Sequence, residues 1–232
     1  KSIFNLKNNI PNIFTTLNLV SGFFGITFFL SDFTSLIPYC IYLSLTFDYL
    51  DGLTARKFNL ISNFGKQLDS LADLVSFGVL PSLVIFDWLS NHSTYNMLEY
   101  ISVLILVASA FRLAKFNISQ SSSNDFIGLP TPANALFFVS IFYSSKYATF
   151  FLNDKILVGL IIIFSLLMIS NIRFISMKFI DYSLAENINK YIIILVSLLC
   201  FLLLGIDGFP FIILFYISYS FINGLFHRNN SK

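Results

Sequence analysis

Charge is the scarcest thing in this sequence. Asp, Glu, Lys and Arg together make up 11% of its 232 residues, against 56% hydrophobic. A water-soluble domain usually carries about a quarter charged residues, so a soluble globule is excluded. Cysteine is almost as rare: Cys40 and Cys200 stand alone inside apolar runs, which rules out a sequence-local thiolate metal site. His92 and His227 have no partner histidine nearby and read as interfacial polar residues. No stretch has the composition of a separate soluble domain, an internal repeat or a flexible linker. A net charge of +2 does not point to nucleic acid as a partner.

What fills the chain is long apolar runs, many rich in Phe, separated by short polar breaks. An apolar helix needs about 20 residues to cross a bilayer, so the pattern predicts an all-α, polytopic membrane bundle. Eight spans are expected, near 13–30, 36–56, 69–89, 98–116, 130–147, 156–172, 191–204 and 209–226. The first run lacks a small-residue cleavage site and has too long an apolar core for a signal peptide, so it is expected to stay as a span. With the N-terminus placed in the cytoplasm, twelve of the fourteen Lys and Arg fall inside, leaving Lys146 and Lys155 outside. That bias predicts an integral protein of the cytoplasmic membrane, both termini inward. One membrane domain is expected over 1–232.

Against this background one segment stands out, 47–73: FDYLDGLTARKFNLISNFGKQLDSLAD. A carboxylate at mid-membrane costs roughly 2.5–3.5 kcal/mol, yet this segment carries four. Asp48 and Asp51 are three apart, Asp69 and Asp73 four apart, so each pair lies on one helix face. The first pair closes a span running inward and the second opens the span leaving, which predicts all four acids together near the cytoplasmic boundary. Like charges so close need a cation between them. Mg²⁺ or a similar hard ion suits such ligands, one or two ions being accommodated, and two can clamp both oxygens of a phosphoryl transfer. Gly52 and Ala55 leave room for a bulky group, and the fork of Arg56 matches phosphate oxygens. The segment therefore reads as a pyrophosphate site. A cation-transport path is the rival reading, since intramembrane acids often mark ion routes, but it leaves the Gly, Ala and Arg unexplained. Asp32, Asp87, Asp154 and Asp207, each isolated, read as span-end residues.

Written as a pattern, the segment is Asp48-x2-Asp51-Gly52-x2-Ala55-Arg56-x8-Gly65-x3-Asp69-x3-Asp73. It resembles, position for position, the signature of the CDP-alcohol phosphatidyltransferases. The resemblance implies a six-helix core over about 11–175, often dimeric, with the site open to the cytoplasmic leaflet. The last two spans, about 190–227, would be an extension. It implies Asp48, Asp51, Asp69 and Asp73 around two divalent ions, Mg²⁺ or Mn²⁺, with Asp73 also the general base. Gly52, Ala55 and Arg56 would hold the nucleotide and phosphates of CDP-diacylglycerol, and Gly65 would permit close packing.

Three more stretches, IPNIFTTLNLVSGF, DSLADLVSFGVLPS and FRLAKFN followed by GLPTPANA, resemble the phosphatidylserine synthase branch. Ser70 stands where the glycerophosphate-using branch tends to have Pro. L-serine is the acceptor this implies; glycerol 3-phosphate or inositol is the alternative. Serine brings a carboxylate that Arg112 and Lys115 could receive, with Lys66 another candidate; Arg112 and Lys115 are equally placed as interfacial anchors. Pro11, Thr15, Asn18, Gly22 and Gly25 recur at four and three residues and share one face, a small-residue seam suited to close helix packing. Thr15 and Asn18, nearest the cytoplasmic end, are candidates for touching the nucleotide, as is Ser62. The polar loop 117–126 is a candidate cover for a serine pocket.

Overall fold

The computed structural model describes residues 9–118, 126–143, 148–177 and 183–229. Lys1, Lys7, Lys146, Lys178 and Lys232, used in the charge count, lie outside them, as does most of the loop proposed to cover the serine pocket. The described chain is helical, as its apolar runs require, and falls into two compact units, one ending at Ser119 and the other beginning at Gln120.

The first unit holds α1 (Ile10–Leu30), α2 (Ile37–Lys57), α3 (Asn63–Asp73), α4 (Leu80–His92) and α5 (Val103–Ile118). Helix α1 packs along α2 on one side and against α3 and the turns after it on the other. The buried side of α1 is Pro11, Thr15, Asn18, Ser21, Gly22 and Gly25, the expected seam with one serine added. A Cβ on Gly22 would lie 2.9 Å from Cα of Ser76, so glycine is what lets the two backbones approach. Between α2 and α3 the chain turns tightly. Asn59 adopts a left-handed φ of 52°, Leu60 N–H donates to Ala55 O at 2.9 Å, and Asn59 N–H donates to Arg56 O at 3.3 Å. This pair of bonds is a Schellman motif, which satisfies the last carbonyls of α2. Ser62 then caps α3, its hydroxyl accepting from Gly65 N–H at 2.9 Å. The helix expected to open at Asp69 therefore begins six residues earlier, at Asn63.

Helices α3 and α4 are joined by a π-helical segment, Leu74–Val79, with Pro81 just beyond it. A wider turn re-aims the residues that follow it. Asp69 and Asp73 precede the change of register, and Ser76 within it donates to the Asn18 carbonyl at 3.0 Å.

The second unit contains α6 (Thr131–Tyr143), α7 (Ala148–Phe151), α8 (Asp154–Ile169), α9 (Leu184–Leu204) and α10 (Phe209–Asn229). The all-α expectation is modified by one detail: β1 (Phe126–Ile127) and β2 (Arg173–Phe174) form a two-residue antiparallel pair. Gly128 follows with φ 78°, where a side chain would meet the Met168 carbonyl, and Leu129 N–H caps Leu167 O at 3.0 Å. Phe137 stacks on Phe164 at 4.3 Å between ring centroids, and Phe138 meets the same ring edge-on at 5.3 Å.

Among the described residues four stretches are long and apolar enough to cross a membrane: Ile10–Leu30, Asn63–His92, Leu98–Ile118 and Asn187–Gly224. This is an integral membrane protein by composition and fold. The last stretch folds as two helices, α9 and α10, hinged at Gly205–Gly208. Within the segments expected at 36–56, 130–147 and 156–172 the described residues form α2, α6 and α8, which miss the apolar length of the other four. Helix α2 carries Asp48, Asp51, Arg56 and Lys57, while α6 and α8 have 13 and 16 residues.

Candidate metal and phosphate site

The turn 58–62 joins α2 to α3, and the acids in the second half of α2 meet those in the second half of α3. Asp48, Asp51 and Asp69 each offer a carboxylate oxygen, and these oxygens lie within 4.8 Å of one another. Asp73 belongs to the same electrostatic group, feeling the charges of both Asp48 and Asp69. Asp51 and Asp73 are buried, while Asp48 and Asp69 are half-buried, so the cluster deepens into the fold. Three hard oxygen donors gathered this tightly on two helices, in an apolar unit, repel unless a cation joins them. The donor set fits a divalent ion such as Mg²⁺ or Mn²⁺ and not a soft metal.

The cations flank the acids at two depths. Arg56 is exposed at the end of α2, attracts Asp51, and folds its guanidinium back over Gly52. A Cβ on Gly52 would sit 3.2 Å from Nη1 of Arg56. Arg112, on α5, is 7% exposed and its charge acts on Asp73. Lys115, one turn on, is exposed.

Two residues of α1 reach the acids directly. Thr15 Oγ1 donates to Asp51 Oδ2 at 2.8 Å, and Asn18 Nδ2 donates to Asp73 Oδ1 at 3.0 Å. Lys66 reaches the end of α5, where its ammonium donates to the Asn117 carbonyl at 3.0 Å and lies 5.4 Å from the Phe116 ring centroid. Ser62 serves the α3 cap described above.

Asn117, placed by the sequence in the polar loop 117–126, lies in the last turn of α5 and has partners that sequence reasoning passed over. It accepts from Ser70 Oγ at 3.2 Å and donates to Gln67 Oε1 at 3.0 Å, tying α5 to α3 beside the acids. Ser44 and Ser76 were also unremarked; both donate to the Asn18 carbonyl, at 3.3 and 3.0 Å. Asn117 closes FRLAKFN and opens the polar loop 117–126, and neither place in the sequence pointed to its partners on α3.

The family model for CDP-alcohol phosphatidyltransferase matches residues 8–169, which include the whole cluster. The chain belongs to this family. Among related CDP-alcohol phosphatidyltransferases, the CDP-diacylglycerol–serine O-phosphatidyltransferase of Helicobacter pylori strain J99 is 33% identical over 222 residues, 93% of this chain and 91% of that one. The protein of the same name from Methanocaldococcus jannaschii is 34% identical over 215 residues, 92% of both chains. An archaetidylserine synthase from Methanothermobacter thermautotrophicus is 36% identical over 169 residues, 71% of this chain and 69% of that one.

Proposed function

We propose that this protein is a phosphatidylserine synthase, transferring the phosphatidyl group of CDP-diacylglycerol to the hydroxyl of L-serine with release of CMP. One observation carries the proposal: three carboxylates from both acid pairs meet within 4.8 Å, in a chain similar over 93% of its length to serine-using relatives. An ion path would not call for Arg56 laid over Gly52 beside those acids.

Asp48, Asp51, Asp69 and Asp73 would hold two divalent ions, Mg²⁺ or Mn²⁺. When bound, the ions supply positive charge to the diphosphate and its leaving oxygen. Arg56, with Gly52 and Ala55 clearing the approach, receives phosphate oxygens of the CDP-lipid. Thr15 and Asn18 direct their donors at the carboxylates, and Ser62 is a further candidate contact for the CDP-lipid. Arg112, buried, and Lys115, exposed, receive the serine carboxylate, with Lys66 positioning the end of α5. The serine hydroxyl oxygen bonds to the lipid-side phosphorus, the bond from that phosphorus to the CMP oxygen breaks, and the hydroxyl proton passes to Asp73.

The lipid substrate fits a single membrane domain over 1–232, a six-helix core with two further spans, lying in the cytoplasmic membrane. The charge bias supports a site and termini facing the cytoplasm. A homodimer is part of the same reading. The test is incorporation of labelled serine into lipid by purified protein. Incorporation should vanish on chelation and return with Mg²⁺ or Mn²⁺; label incorporated equally without divalent ions would sink the metal assignment.

A further inference from the structure

Helix α1 has no acidic or basic residue between Ile10 and Leu30, yet it donates to one carboxylate of each acid pair. Thr15 and Asn18 are three apart on one face, and each reaches an aspartate on a different helix, 36 and 55 residues away in sequence. Both donors are buried, Asn18 at 0% exposure. The Thr15 hydroxyl also lies 3.1 Å from the Pro11 carbonyl, but its single proton goes to the shorter contact with a charged acceptor.

The chemistry of these donors is telling. A lysine or arginine here would pair with the carboxylate and compete with any bound cation. A hydroxyl or an amide occupies one lone pair and leaves the negative charge in place. The Asn18 amide is turned so that its nitrogen meets Asp73, although its Oδ1 is then buried with no hydrogen-bond partner among the described residues. The reverse orientation would set amide oxygen against carboxylate oxygen. An orientation that leaves a buried acceptor unsatisfied carries a cost, and the bond to Asp73 is what offsets it.

A second feature separates this side chain from simple packing. The Asn18 backbone carbonyl is gripped by Ser44 from α2 and Ser76 from the π segment. Those two serines hold α1 in place, so the amide is not needed for that purpose.

We infer that Thr15 and Asn18 are positioning residues: each holds one oxygen of its aspartate, Asp51 or Asp73, so that the other oxygen is presented to the acid cluster. For Asn18 this rests on the proposed role of Asp73 as proton acceptor. Neither residue contacts substrate under this inference; both act through carboxylates.

The test compares Asn18→Leu and Thr15→Val, which roughly preserve shape but remove the donor, with Asn18→Ala and with a Ser44→Ala/Ser76→Ala double variant. The measurements are kcat, KM for each substrate, equilibrium binding of CDP-diacylglycerol without serine, and thermal unfolding. Losing a hydrogen bond to a charged group should lower kcat about 10- to 100-fold in the Asn18 and Thr15 variants, with CDP-lipid affinity unchanged within about twofold. The serine double variant should lose thermal stability while keeping kcat within about twofold. CDP-lipid affinity falling in step with kcat/KM would make the two residues nucleotide contacts and overturn the inference. So would an Asn18→Leu enzyme of ordinary turnover, a double variant as slow as Asn18→Ala, or isosteric variants that fail to fold. An Asp73→Asn enzyme of normal turnover would instead sink the reading of Asp73 itself, whatever Asn18 does.

Discussion

Asp73 and Arg112 are the residues whose removal should be most informative, because the proposed function gives one the serine proton and the other the serine carboxylate. Replacing Asp73 by Asn keeps the shape of the side chain and removes a proton acceptor. The variant should bind CDP-diacylglycerol normally and lose turnover by several orders of magnitude, measured as CMP release; intact turnover would remove Asp73 from the base role. Replacing Arg112 by Gln takes a buried cation away from the same acid. If Arg112 receives the serine carboxylate, KM for serine should rise about tenfold or more, with CDP-lipid binding held. The exposed Lys115 should matter less when changed to Gln. That the acids would come together was legible in the chain, because an aspartate inside an apolar run is expensive enough to demand a reason. The four acids, Arg56 and the small residues between them came straight from that logic. The partners of Thr15, Asn18 and Lys66 did not: each bond joins residues 36 or more positions apart, and no local spacing encodes such a meeting.

At the scale of elements, α1 carries the clearest packing test. Its seam was visible as a four-and-three recurrence of small and polar residues, and the structure buries that face. Gly22→Ala would drive a methyl group onto the backbone of the π segment at Ser76. The shift should cost about 1–3 kcal/mol, seen as a lower Tm. Gly159, on α8, has nothing within 4 Å of where a Cβ would stand. Gly159→Ala should therefore leave activity unchanged and shift stability by less than about 1 kcal/mol, in the favourable direction expected for alanine in a helix. Equal damage from both substitutions would mean that close approach at Gly22 is not what the first helix provides. The π segment itself had no sequence signature beyond Pro81, because a wider turn is chosen by what packs against it. The early start of α3 was readable in principle from Ser62, a good N-cap, three residues ahead of Gly65.

For the molecule as a whole, composition settled the environment and charge distribution suggested the orientation, while the acid cluster and the matched family agree on the chemistry. The serine branch rests on whole-chain similarity and on a buried Arg112 whose charge acts on Asp73. The direct test is CMP release by purified protein given CDP-diacylglycerol, a divalent ion, and serine, glycerol 3-phosphate or inositol in turn. Release should depend on serine. Release only with one of the other alcohols, or none with any alcohol alongside ion flux in liposomes, would contradict it.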